Sequence, residues 1–146
     1  MTINTPNLNH TRKQILAQKK QSPNKEIIIQ AQSPEYNRKI LENPDVDILL
    51  SPELHERKDY LKQRDSGLNE ILCKLAKRNN IKIGINLQPI RKLPIKQKAI
   101  ALARIRQNIQ LCKRTKTSIV FMPPLSKQEA LSLITTLKGS TEQVKN

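Results

Sequence analysis

Between Ile71 and Gln128 the sequence holds fourteen Lys and Arg residues and not one Asp or Glu. A basic run of that length cannot neutralise itself. Ordinary solvated surfaces intersperse both signs, so the run implies an external polyanion. An ammonium group attracts phosphate as a point charge, whereas a guanidinium grips it through two parallel N–H bonds. The chemistry on offer is therefore phosphate recognition. Nucleic acid is the leading polyanion; an anionic membrane surface is the weaker alternative, because no stretch joins a basic face to Trp or Phe anchors. The whole chain repeats the imbalance, with 27 Lys plus Arg against 12 Asp plus Glu in 146 residues and a net charge of +15.

Other reactive side chains are sparse. His10 and His55, the two histidines, fall in separate segments, so a His-clustered metal site is not expected. Asp45, Asp47, Glu53, Glu56, Asp59 and Asp65 gather in sequence, and carboxylates alone would favour only magnesium. The plainer reading has Asp65 capping a helix and Asp45, Glu56 and Asp59 solvated. Asp47, alternating inward, then has its carboxylate met by a backbone N–H or an Arg. Cys73 and Cys112 lack ligand spacing and fit buried thiols at apolar helix positions. There is no Gly-rich phosphate loop and no G-x-S-x-G. We expect neither a catalytic residue nor a metal site in this chain.

The elements that must position these cations follow from apolar spacing. Residues 1–24 are basic and polar and predict a flexible arm, with one turn of helix at Thr11 to Lys20, or an untethered tail. Glu26 to Gln30 predicts a strand buried on both faces. Pro34 opens a short helix through Tyr36, Ile40 and Leu41, ended at Asn43-Pro44. Val46 to Ser51 predicts a second strand, and Ser51 to Arg64 a long charged loop of the kind that carries function. Asp65 or Ser66 then caps a helix with Leu68, Ile71, Leu72, Leu75 and Ala76 on one stripe. Ile81 to Leu87 predicts a third strand, followed by a stiff loop bracketed by Pro89 and Pro94. From Ile95 to Arg114 a longer helix places Ile95, Ala99, Leu102, Ile105, Ile109 and Cys112 on one side and leaves Arg104, Gln107, Asn108 and Lys113 for water or a partner. Thr117 to Met122 predicts a fourth strand. Ser126 and Glu129 form a capping box at the start of the last helix, Gly139 closes it, and residues 140–146 should fray.

The fold class is therefore α/β, with parallel βα repeats of about four units in one domain over residues 25–139. Eight units close a barrel; four leave two open edges, to be covered by a partner or left as a minimal three-layer sheet. Loops at the C-terminal ends of parallel strands carry the sites of such folds. Those ends bring forward Arg38 after the first strand, Arg57, Lys58, Lys62 and Arg64 after the second, and Arg91 and Lys92 after the third. Arg38 and Arg64 lead as guanidiniums. Lys74, Arg78, Arg104 and Arg106 form a second, helical group. One Phe and two Tyr give hardly any base-stacking platform, so phosphate contact to a folded RNA fits better than aromatic single-strand recognition.

The stretch NRKILENPDVDILLSPEL, then RDSGLNEILCKLAKRNNIKIGINLQPI, then ARIRQNIQLCKRTKTSIVF, resembles archaeal ribonuclease P protein component three, the counterpart of the human thirty-kilodalton subunit. The resemblance covers roughly three quarters of the chain, from Ser33 to Gly139. It implies a partial barrel of the TIM type, related to the metal-dependent phosphoesterases. It also implies a cytoplasmic protein subunit supporting a catalytic RNA that cleaves the 5′ leader from precursor tRNA. The implied partners are that RNA, precursor tRNA, protein component two and other subunits, with no membrane. Magnesium would be bound by the RNA, and no cofactor by this chain. Members of the family are longer before the matched segment, so the expectation divides between a reduced member whose remaining strands come from another polypeptide and a degenerate gene, and whether the barrel closes is left open. Met122-Pro123-Pro124-Leu125 replaces a small-residue turn, and the loop Glu53 to Gln63 carries an insertion. A ribosome-associated or other RNA-binding protein, or a magnesium phosphoesterase on a reduced barrel, are the alternative functions.

Overall fold

The computed structural model describes residues 1–144. Five parallel strands form a single sheet: β1 (Thr2–Ile3), β2 (Ile28–Gln30), β3 (Ile48–Leu50), β4 (Lys82–Ile85) and β5 (Ile119–Phe121). Their spatial order is their chain order, β1-β2-β3-β4-β5, with every neighbouring pair parallel. That order is the progression of a βα barrel rather than of a doubly wound sheet, whose order reverses at a switch point. The helices are α1 (Leu8–Gln21), α2 (Pro34–Leu41), α3 (Glu70–Arg78), α4 (Leu87–Arg91), α5 (Ile95–Thr115) and α6 (Lys127–Thr136). No helix among the described residues is long and apolar enough to cross a membrane.

The two faces of the sheet are unequal. One packs Ile3, Ile29, Leu49, Ile83, Ile85, Ile119 and Phe121 against apolar residues of the helices, among them Ile15, Ile40, Leu72, Ile105, Ile109 and Ile134. The other holds a smaller cluster made of strand residues and Met122: Ile28, Ile48 and Leu50, with Val120 and Met122 against them. Ile48 on this helix-free face is fully buried, so the sheet curls over it. Gly84 is the reason it can: a Cβ there would stand 2.8 Å from both Ile48 Cγ2 and Leu50 Cδ1.

Residues 1–24 correct the expectation of a flexible arm. Thr2 and Ile3 pair with Ile28 and Ile29 as an edge strand, and a 14-residue helix follows, capped by Asn7, whose side chain accepts from Asn9 N and His10 N. The helix is mostly polar, yet Thr11 and Ile15 are buried, and the Thr11 hydroxyl meets the Tyr36 hydroxyl at 2.9 Å. Lys19 pairs with Asp45. A narrow stripe held by tertiary contact outweighs a composition that signals disorder. Among the described residues the strands therefore number five, not four.

The C-terminal end is corrected too. Thr141–Val144 forms a 3₁₀ turn in which buried Gln143 donates to the Ile109 carbonyl at 2.9 Å and accepts from Ser140 N at 2.6 Å. Lys145 and Asn146 lie outside the described residues. The expected stiff loop between Pro89 and Pro94 is partly helical: α4 takes Pro89 within its first turn, where a missing N–H costs nothing, and Pro94 stands at the N-cap of α5. The α3 cap is Asn69, which accepts from Leu72 N at 2.8 Å, because the residues before it are committed to a turn at Gly67. Ile71 is exposed. The capping box at Ser126 and Glu129 forms as expected, and Cys73 and Cys112 are buried with their sulfurs 4.0 Å apart between α3 and α5.

Ile15 is 1% exposed, and truncating a fully buried Ile forfeits both transfer energy and packing. Ile15→Ala should therefore lower the urea-unfolding free energy by about 3 kcal/mol. A change within about 0.5 kcal/mol, the range of surface substitutions, would mean that α1 is detached from the core.

Candidate nucleic-acid interface

The longest connection, residues 51–69 between β3 and α3, leaves the sheet at the C-terminal ends of the strands. Ser51 turns it out of β3 with a left-handed backbone, φ 53°. Gly67 turns it back at φ +81°, so close to Pro52 that a Cβ would meet the Pro52 carbonyl oxygen at 1.9 Å. Between those turns the loop is folded onto one face of α5.

Arg104, Gln107 and Asn108 occupy that face at spacings of three and four. Arg104, with its side chain 8% exposed, donates from Nη1 to the Glu53 carbonyl at 3.3 Å and to the His55 carbonyl at 3.1 Å. Its Nη2 reaches the Arg57 carbonyl at 2.8 Å and Asp59 Oδ1 at 3.0 Å, and Nε adds a second bond to the same oxygen. Gln107 donates to the Arg64 carbonyl at 3.0 Å and Asn108 to the Ser66 carbonyl at 2.9 Å. A second ion pair closes the loop on itself: Arg57 Nε donates to Asp65 Oδ2 at 2.8 Å, with Nη2 on Oδ1 at 3.4 Å. Asp65 Oδ1 also accepts from Gly67 N at 3.0 Å, and the His55 ring bonds the Asp65 carbonyl at 2.8 Å.

These contacts set the charge of the acids. The Arg57 bond holds the Asp65 carboxyl below the usual range. Burial works to raise Asp59, but the Asp65 amide and the Arg104 guanidinium outweigh it and hold that carboxyl low. Burial, then the neighbouring Arg57 and Arg104 cations, lowers His55, which stays neutral. Glu53 is fully buried without a hydrogen-bond partner for either carboxyl oxygen, and burial pushes it up to about 8. Three of the four loop acids are thus neutral or internally paired.

The sequence-predicted residues separate into groups. Lys58, Lys62, Arg91 and Lys92 are exposed at the C-terminal end of the sheet and make no ion pair within 4 Å among the described residues. Arg64 is half exposed, 3.7 Å from Asp59, and lines with Lys62 and Arg114 a groove of about 280 Å³ along α5. Arg57 is tied to Asp65. Arg104, expected on the helical cationic group, is instead buried as the anchor of the loop, because the carbonyls it satisfies have no other donor. Asn108 is likewise buried rather than free for a partner. Arg38 lies in the last turn of α2, paired with Glu42; that helix runs from the C-terminal ends of the strands toward the opposite end, so Arg38 is carried away from the loop. Lys74 pairs with Glu70 at 2.7 Å, and Arg78 sits in the last turn of α3, where a cation favours the helix dipole.

Asp59 was expected to be solvated, and Asp45 likewise; both form ion pairs. Asp47 is exposed rather than inward, and its carboxylate accepts from Ile27 N at 2.7 Å. No group of three or more His, Cys, Asp or Glu among the described residues is placed to hold a metal ion. The positioning role of Arg104 had one signal in the sequence, a polar triplet at helical spacing on an apolar helix. The expected stripe hid it: Ile105, Ile109 and Cys112 are buried as expected, but Ile95, Ala99 and Leu102 are exposed, and Ala101, Arg104 and Asn108 face inward in their place.

No protein-family model matches the chain. It is similar to Ribonuclease P protein component 3 of Methanosarcina acetivorans, 34% identical over 94 residues that cover 64% of this chain and 36% of that protein. The protein of the same name from Methanococcus vannielii is 32% identical over 94 residues, 64% of this chain and 38% of that one. The matched segment thus spans little more than a third of the length of these relatives. Among solved structures, a chain of the cryo-EM structure of archaeal Ribonuclease P with mature tRNA superposes with a TM-score of 0.75 at 23% identity, over 94% of this chain and 59% of that one. That likeness establishes the fold: parallel βα repeats in barrel order.

Arg104→Ala leaves three carbonyls without their donor and Asp59 without its buried guanidinium, and should destabilise the chain by about 3 kcal/mol in chemical denaturation. A loss under about 1 kcal/mol would show that the loop does not depend on it. Glu53 gives a pH signature. Between its ordinary value of 4.5 and about 8 the folded state keeps a proton that the unfolded chain has released, so stability falls as pH rises through that interval. From about pH 7 to 8, above the range of His55 and the aspartates, the decline should be on the order of 1 kcal/mol per unit, and Glu53→Gln should flatten it.

Proposed function

We propose that this chain is a protein subunit of a ribonuclease P, the endoribonuclease that matures the 5′ ends of precursor tRNA. Its contribution is to bind RNA phosphates through the cations at the C-terminal end of the sheet. The observation that carries the reading is the rigid loop itself. Asp59 and Asp65 are paired and Glu53 is buried, so Glu56 is the one exposed acid of the loop, while Lys58 and Lys62 are exposed with Arg64 beside them and with Arg91 and Lys92 at the end of α4 on the same end of the sheet. Phosphate binding through preordered cations is favoured over binding through mobile ones, because less side-chain and loop freedom is lost on contact. The similarity to Ribonuclease P protein component 3 supplies the identity of the RNA.

The chemistry in this reading belongs to magnesium held by the catalytic RNA. In keeping with that reading, Asp59 and Asp65 are engaged by Arg104 and Arg57, and Glu53 is buried and held largely protonated. Its partners are the catalytic RNA, precursor tRNA and protein component two, and its place is the cytoplasm. The open edges of the sheet at β1 and β5 are where the rest of a barrel, or a neighbouring subunit, would join.

Reconstitution tests this. The purified chain, added with component two and the catalytic RNA, should restore precursor-tRNA cleavage at low magnesium; no rescue at any ratio would overturn the proposal. Binding of the RNA should weaken steeply with salt, by roughly a thousandfold between low and moderate concentrations. Lys58→Ala, Lys62→Ala and Arg64→Ala should each lower the slope of log affinity against log salt by about one, with folding unchanged. Arg38→Ala, on the flank, should leave the slope as it is. Equal slopes in all four would remove the interface from this end of the sheet.

A further inference from the structure

The sequence has one Phe, two Tyr and no Trp, and of these three aromatic residues Phe121 and Tyr36 are buried in the core. Tyr60 is 76% exposed, and Leu61 beside it is 107% exposed, so its side chain packs against nothing. Single exposed apolar residues need no explanation. These two are adjacent, and they sit at the tip of a turn, where chains ordinarily place Gly, Pro, Asn, Asp or Ser. The turn itself is ordered. Tyr60 N donates to the Gln63 carbonyl at 2.8 Å and Gln63 N to the Tyr60 carbonyl at 3.2 Å, which leaves Leu61 and Lys62 as the two residues of a tight reversal. Its stems are joined by Asp59 Oδ1, which accepts from Asp65 N at 2.8 Å while Arg104 holds it from the other side. An aromatic ring on such a support loses little freedom when bound, since only its own torsions remain to be fixed.

The charges beside the tip select its partner. Lys58, Lys62 and Arg64 are exposed close to Tyr60 in the same loop, and Lys62 and Arg64 line, with Arg114, the groove along α5. A protein socket that received Tyr60 and Leu61 would have to strip water from these cations. An RNA strand offers phosphates to them and, where a base is unpaired, a flat face to the ring.

We propose that Tyr60 is a stacking platform for one unpaired base of a structured RNA, with Leu61 against the neighbouring base pair and Lys62 and Arg64 on the flanking phosphates. The proposal rests on the phosphate-binding reading above and adds a preference that charge cannot give, because stacking depends on whether a base is free and backbone contacts do not. Apolar side chains set between base steps part them in the same manner.

The test uses the full chain and two RNA duplexes closed at both ends by the same UUCG loop, one with a single bulged adenosine and one fully paired. The chain should bind the bulged RNA roughly tenfold more tightly than the paired one. Tyr60→Ala should abolish that preference and Leu61→Ser reduce it. Both should leave the affinity for paired RNA, the salt slope and the urea midpoint unchanged, because neither removes a charge or a buried group. Tyr60→Trp, which introduces the one tryptophan of the chain, should keep the preference and report stacking by quenching of its indole fluorescence only with the bulged RNA. Equal affinities with an unquenched indole overturn the proposal and leave the phosphate reading intact. Binding of neither RNA overturns both. An indole that responds to protein component two without RNA makes the tip a protein contact and overturns the stacking role.

Discussion

The guanidinium of Arg104 is the contact on which the functional end of this molecule depends. A buried cation is expensive unless every proton finds an acceptor. Here the acceptors are the carbonyls of Glu53, His55 and Arg57 and the carboxylate of Asp59. The arrangement works in both directions. Carbonyls of an irregular loop cannot pair with one another as those of a strand or helix do, and one planar, multiply donating group satisfies several at once. A lysine could not, because its donors diverge from one point. The consequence is a long loop with the order of a secondary element, fastened to α5 at three positions by Arg104, Gln107 and Asn108.

Fastening the loop also sorts its charges. Residues 51–69 contain as many cations as a small phosphate-binding surface requires, but also Glu53, Glu56, Asp59 and Asp65, which would repel an RNA backbone if exposed. Asp59 and Asp65 are held by Arg104 and Arg57, and Glu53 is buried in its neutral form. Lys58, Lys62 and Arg64 are left on the outside. Net charge alone does not single out one face; the pairing of Asp65 with Arg57 and of Asp59 with Arg104 leaves an excess of exposed cations at this end of the sheet. On the flanks the pairing works differently, with Arg38 and Lys39 on Glu42 and Lys74 on Glu70 in exposed helical pairs that contribute little to stability.

Much of the scaffold was legible because it rests on local chemistry. Triplets of Ile and Leu in β2 and β3, the Ser33-Pro34 start of α2 and the Ser126–Glu129 capping box each carry their own signal, and the structure places them within a few residues of expectation. What escaped rests on tertiary contact. Helix α1 is nearly all polar and is held by Thr11 and Ile15 against its neighbours, so its composition resembles that of a disordered arm. The face of α5 was misassigned because Arg104 and Asn108 are buried and Ile95 and Leu102 are exposed. Hydrophobic periodicity assumes that polar residues seek water, and it fails where a helix has backbone carbonyls of a loop to satisfy.

The same failure bears on where function resides in a small parallel sheet. The helix side of this sheet is packed with Ile, Leu and Val, and those residues could be exchanged for others of similar volume without altering what the surface presents. The loop between β3 and α3 has no such freedom. Gly67 is fixed by its approach to the Pro52 carbonyl, Asp65 by four contacts at once, and Arg104 by the carbonyls around it. Constraint of that density, on a connection that a stable core alone would allow to be short and mobile, indicates that the positions of Lys58, Lys62 and Arg64 relative to the sheet matter more than their mere presence. A polyelectrolyte contact that needed only charge could use a loose basic tail; on the reading proposed above, cations carried by an ordered loop suit a shaped phosphate surface better.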